Sequence, residues 1–113
     1  MKRILLIDDV PDFLELLSDA VQMRGWVCDT AGSVNSAKKL LEMQHYDKVC
    51  IDFTLGDGTA IDVLNFIQEQ NIETHKVVLS GHEDERIKCL ALNAGAEAYI
   101  TKGSFDFLNE VCQ

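Results

Sequence analysis

The chain has 113 residues, enough for one domain and too few for two. Its hydrophobic content of 47% fits a chain that buries a core, and excludes wholesale disorder. Ten Lys and Arg stand against 19 Asp and Glu, a net charge of −9, which argues against direct binding to nucleic acid or anionic membrane surfaces.

The first apolar run, Arg3–Ile7, reads as a strand. It ends in Asp8-Asp9 with no small-residue cleavage site, so MKRILLIDDV is not a signal peptide, and no apolar run approaches the length of a membrane span. These features predict a cytoplasmic protein. Phe13, Leu16, Leu17, Ala20 and Val21 then recur at helical spacing, with Pro11 early in the helix and Gly25 as its stop. A second strand is predicted over Trp26–Ala31, mixed enough in polarity to suit a sheet edge. Trp26 falls at its amino end and reads as a packing residue.

Ser33 reads as the N-cap of a second helix carrying Val34, Ala37, Leu40 and Leu41. Lys48–Phe53 is the third predicted strand, and Gly56-Asp57-Gly58 after it is a good turn sequence. Ile61, Leu64, Phe66 and Ile67 mark a third helix, followed by a strand over Lys76–Ser80. A fourth helix is predicted from about Glu83, carrying Ile87, Leu90 and Ala91 and closing at Asn93-Ala94-Gly95. The last strand, Glu97–Thr101, leads to a short helix with Ser104 as N-cap, running through Phe105, Leu108 and Val111 and stopping near Gln113.

Five strand–helix units in strict alternation predict an α/β fold: a doubly wound five-stranded parallel sheet with helices on both faces. The flavodoxin-like strand order 2-1-3-4-5 makes the first and third strands neighbours at the switch point, where ligands of such folds bind beyond the carboxyl ends. Asp8 and Asp9 end the first strand and Asp52 ends the third, so this topology gathers three carboxylates. Their mutual repulsion favours a hard cation, and an open set of oxygen ligands suits Mg²⁺. Ser80 and Lys102 close the next two strands and add a hydroxyl and a cationic arm. Singly, each has a plain reading: aspartates after a strand often cap the following helix, and a terminal Ser or Lys says little. In register across four strands, they make a set suited to phosphoryl transfer onto a carboxylate.

Cys28, Cys50, Cys89 and Cys112 are widely spaced with no C-x-x-C, and read as reduced, mostly buried thiols. His45, His75 and His82 make no ligand set. His82, two residues past Ser80, reads as a loop histidine or as lining the pocket entrance.

ILLIDD, DFTLGDGTAIDVL, VVLSG and NAGAEAYITK, in that order, resemble the response-regulator receiver domain of two-component signalling over essentially the whole chain. The resemblance implies a stand-alone, chemotaxis-regulator-like receiver over residues 1–113 with no output domain. It implies Asp52 as phosphoacceptor; Asp8, Asp9, Asp52 and the backbone carbonyl of Thr54 as Mg²⁺ ligands; and Ser80 as the switch hydroxyl. It further implies Lys102 as the ion pair to the phosphoryl group, and Tyr99 as a switch aromatic, against the plain reading of a half-buried strand residue. The implied partners are a histidine kinase or histidine phosphotransfer protein and an unidentified downstream protein, with the receiver a monomer or a phosphorylation-dependent dimer. No turnover beyond its own phosphorylation and dephosphorylation is expected. A phosphohydrolase of related fold would carry a second acid two residues after the nucleophile, where this chain has Thr54. A flavin site is disfavoured by three acids at the switch point, and a non-switching interaction module would keep the fold alone. Two departures stand out: Gly103 replaces the usual Pro after the lysine, predicting a looser Lys102, and the last helix is short.

Overall fold

Burial of the central strands on both faces sets the architecture. In the computed structural model, which describes residues 2–81, 83–104 and 106–113, the described residues form seven strands and five helices. They are β1 (Arg3–Ile7), α1 (Pro11–Met23), β2 (Val27–Ala31), α2 (Val34–Met43), β3 (Lys48–Asp52), β4 (Thr54–Leu55) and β5 (Gly58–Thr59). There follow α3 (Ala60–Glu69), β6 (His75–Ser80), α4 (Glu85–Asn93), β7 (Ala98–Thr101) and α5 (Phe107–Val111).

Five strands make one parallel sheet in the order β2-β1-β3-β6-β7, while β4 and β5 pair separately as a small antiparallel hairpin. The five long strands therefore take the predicted 2-1-3-4-5 arrangement, with β2 at an edge. The hairpin is an addition: the Gly-Asp-Gly turn folds back far enough for Thr54 to face Thr59 in register.

Alternation along the strands feeds two cores. Leu5, Ile7, Val49, Ile51 and Val78 face α2, α3 and α4 through Val34, Ala37, Leu41, Val63, Leu64, Ile67 and Ala91. Ile4, Leu6, Cys50, Val77, Leu79 and Ile100 face α1 and α5 through Leu17, Val21 and Val111. Each fully buried aliphatic side chain contributes about 1.5–3 kcal/mol of transfer free energy, which fixes the register, since a one-residue slip would exchange the two faces.

The helix ends mostly follow the local signals. Pro11 is at the first position of α1, and Gly25 follows its cap Arg24 with φ +92°. Ser33 caps α2 through Ser36 N, with the Ser36 hydroxyl returning the contact. Two ends differ from expectation. α4 begins at Glu85, because the Asp84 carboxylate accepts from Arg86 N and Ile87 N and makes the better cap. α5 begins at Phe107 with Asp106 at its N-cap, and the Ser104 hydroxyl is buried without a hydrogen-bond partner among the described residues. Phe105 and His82 lie outside the described residues.

Trp26 precedes β2 and packs in the α1/α5 core at 8% exposure, as a packing residue should. The thiols are less uniform than expected: Cys50 is buried, Cys28 and Cys112 are half-buried, and Cys89 is exposed on α4.

Candidate phosphoryl and metal site

The carboxyl ends of β1 and β3 lie side by side, Ile7 pairing with Ile51. Asp8 continues the β1 ladder by donating its N–H to the Ala31 carbonyl at 3.1 Å. Its side chain is 2% exposed, and its two oxygens have different partners. Oδ1 accepts from Val10 N at 2.9 Å, taking up a free amide just before α1, whose cap residue Val10 has no side-chain acceptor of its own. Oδ2 lies 2.6 Å from Lys102 Nζ. Asp8 thus takes up the amide ahead of α1 with one oxygen and pairs with Lys102 through the other.

Asp52 ends β3 opposite Leu79 and is nearly buried at 9% exposure. Asp9 is exposed beside it. One carboxylate oxygen from each of Asp8, Asp9 and Asp52 falls within 4.8 Å of the others. Burial is the largest influence on the Asp52 carboxyl and raises its pKa, the charges of Asp8 and Asp9 adding to the rise and Lys102 opposing it.

Lys102 follows β7 and is held at several points. Its N–H donates to the Ser80 carbonyl at 2.7 Å, and its ammonium bridges Asp8 at 2.6 Å and Asp52 at 3.0 Å. Nζ also stands 4.4 Å from the centroid of the Phe13 ring. Burial alone would lower the Lys102 pKa, but the hydrogen bonds and charges of Asp8 and Asp52 outweigh it and leave the value raised. The loose lysine expected from Gly103 is not seen: the ion pairs position the ammonium, while Gly103 takes the left-handed φ of +78° that glycine accepts without strain.

Ser80 closes β6, one residue past the Asp52 partner Leu79, and is 6% exposed. Tyr99 lies opposite Val78 on β7, half-buried against the α2/α3/α4 core. Thr54 opens the hairpin two residues beyond Asp52. The structure thus brings Asp8, Asp9, Asp52 and Lys102 into one group, with Ser80 at the adjoining strand end and Tyr99 one strand pair further back.

One participant has no distinguishing mark in the sequence. Phe13 carries only the helical periodicity of a core residue, yet its ring lies against Lys102. Asp57 turns away from the acid group: its carboxylate accepts from Val34 N at 2.8 Å and Asn35 N at 3.0 Å, and these bonds lower its pKa. It does not join the acid group.

Three convergent carboxylates with one oxygen facing inward from each are a donor set suited to a hard divalent cation that keeps some of its water. The residues present fit Mg²⁺.

Comparison with known proteins agrees with this geometry. The chain is 32% identical over 101 residues to the photosynthetic apparatus regulatory protein RegA of Cereibacter sphaeroides, covering 89% of this chain and 55% of that protein. It is 34% identical over 110 residues to the transcriptional regulatory protein KdpE of Mycobacterium tuberculosis, covering 96% of this chain and 48% of that one. The chain spans about half the length of these curated relatives. Among solved structures, the response regulator TrrA of Thermotoga maritima, in complex with Mg²⁺ and BeF, superposes with a TM-score of 0.85 at 31% identity, over 97% of this chain and 95% of that one. A CheY-like receiver from Methanospirillum hungatei shares the fold at a TM-score of 0.90 and 24% identity, covering 98% and 90% of the two chains. Residues 4–109 match the response regulator receiver domain, so the chain belongs to that family, the phosphorylation-switched signalling domain of two-component systems.

Proposed function

We propose that Asp52 is the phosphoacceptor, and that the observation carrying this reading is the ammonium of Lys102 bridging Asp52 and Asp8 inside a three-carboxylate group. A carboxylate oxygen of Asp52 attacks phosphorus; a P–O bond forms as the P–N bond of a donor phosphohistidine breaks, and the imidazole keeps the electron pair. Asp8, Asp9, Asp52 and the Thr54 carbonyl would hold Mg²⁺, which when bound offsets negative charge on the transferring group. Lys102 supplies a second positive charge, already placed beside the nucleophile. Ser80 offers its hydroxyl from the adjacent strand end, and Tyr99 changes packing as Ser80 moves.

Response regulators receive phosphoryl groups from histidine kinases or phosphotransfer proteins, and this receiver takes its own from such a donor. Residues 1–113 act as one cytoplasmic receiver unit, with no activity beyond its own phosphorylation and dephosphorylation. A downstream protein distinguishes its two states, as monomer or phosphorylation-dependent dimer.

Mass spectrometry after incubation with acetyl phosphate and Mg²⁺ tests the assignment. A single adduct of roughly 80 Da is expected on the wild type and none on Asp52→Asn. An unmodified wild type, or an adduct that survives the substitution, rejects it.

A further inference from the structure

The acid group has two halves carried by different segments. Asp8 and Asp9 follow β1, while Asp52 and Thr54 belong to β3 and the hairpin after it. The sheet fixes Asp52 against Asp8, but Thr54 lies outside it.

Asp57, at the tip of the hairpin, reaches the start of α2. Its two oxygens accept from Val34 N and Asn35 N, the first two amides of α2, at 2.8 and 3.0 Å. Ser33 serves Ser36 N, so the free amides of this helix end are shared between a local cap and a remote one. Gly58 packs closely beside it: a Cβ there would collide with the Asp62 carboxylate and come within 3.2 Å of Val34 Cγ2. At the base of the hairpin, Ala60 N donates to the Phe53 carbonyl at 2.9 Å, and Asp62 accepts from Thr59 N at 2.9 Å. The segment leading into α2 borders Asp8 in turn. Asp8 N donates to the Ala31 carbonyl, and the next residue, Gly32, lies beside the Asp8 carbonyl.

We propose that Asp57 is a positioning residue for the divalent-cation site, bracing the Thr54 hairpin against α2 and so setting the place of Thr54 relative to the Asp8, Asp9 and Asp52 carboxylates. The proposal rests on the reading of the acid group as a Mg²⁺ site. Mg²⁺ demands near-octahedral ligand placement, so a hairpin released at its tip gives a looser carbonyl ligand and weaker binding. The brace also accounts for an aspartate three residues from Thr54 whose carboxylate is turned onto helix amides.

Isothermal titration of MgCl₂ into wild type, Asp57→Ala, Asp57→Asn and Asp52→Asn, with melting curves on each, tests this. The Mg²⁺ Kd of Asp57→Ala is expected to rise roughly five-fold, and that of Asp57→Asn, which keeps one acceptor oxygen, by less. The weakening persists at about 0.5 M salt, where the screening length is only about 4 Å. Kd values for both variants within about two-fold of wild type, even with lowered melting temperatures, overturn the proposal and leave Asp57 a helix cap only. A weakening that vanishes at high salt also overturns it, as a through-space charge effect. The Asn variant supplies the same test if the Ala variant does not fold. Absence of binding to wild type, or full binding to Asp52→Asn, instead rejects the metal-site reading on which the brace depends.

Discussion

Lys102 Nζ lies 2.6 Å from Asp8 Oδ2, so the ammonium occupies one carboxylate oxygen of the three-acid group. If the acid group holds Mg²⁺ as proposed, the lysine competes with the metal for Asp8. Lys102→Met removes the competitor while keeping most of the side-chain volume. Calorimetry should show Mg²⁺ binding tightened by roughly three- to ten-fold, with phosphorylation by acetyl phosphate slowed. Unchanged or weaker Mg²⁺ binding would show that the ion pair and the metal do not compete.

Asp52 gives a pH signature. Its carboxyl titrates above its ordinary value, chiefly because it is buried. The folded state therefore prefers the protonated form, and stability is lost as pH rises from about 4 through the raised folded value. Asp52→Asn has no such loss. In EDTA at about pH 7.5 it should be more stable than wild type, with a higher Tm. The difference should shrink towards pH 4. A variant less stable than wild type at both ends of the range would contradict this.

Lys48 opens β3 with 2% exposure, its ammonium donating to the Val111 carbonyl at 2.9 Å and lying 5.7 Å from the Trp26 ring centroid. Burial lowers its pKa, so its charge is held at a cost that helix-end contact and ring only partly offset. Lys48→Ala should cost about 2 kcal/mol in urea unfolding, through lost packing and an orphaned carbonyl. Lys48→Met should cost less than half of that, because it fills the space without the charge. Equal losses in the two variants would assign the whole effect to the hydrogen bond.

The thiols should separate by reactivity. Cys89 is exposed, whereas burial pushes Cys50 up to about 12 and raises Cys28. Iodoacetamide at neutral pH should label Cys89 first, and Cys50 only on unfolding. Peptide mapping checks the order, and early labelling of Cys50 would show that β3 opens locally.

The parts of the fold legible in the sequence are those with local or periodic causes. The alternation of apolar runs gave the sheet order, and the order placed Asp8, Asp9, Asp52, Ser80 and Lys102 at strand ends. Pro11, Gly25 and Ser33 carry their helix signals within a few residues. The β4–β5 hairpin was missed because two-residue strands have no measurable period. The cap from Asp57 to α2 spans 23 residues, and Lys48 is buried by α5, 63 residues away; both are tertiary relationships that no window along the chain contains. Gly103 misled for a related reason: the loop is permissive, yet the lysine before it is fixed by carboxylates from β1 and β3.

The indole of Trp26 sits at the amino end of the sheet, with Lys2 Nζ 5.4 Å from its ring centroid and Lys48 close by, one sheet length from the carboxylates. It is the sole tryptophan. Its fluorescence is therefore a reporter of the α1/α5 layer and of global unfolding, and is insulated from ion binding at the opposite pole. An optical sensor of phosphorylation in this chain would need a second fluorophore, and the exposed thiol of Cys89 on α4 offers the attachment point.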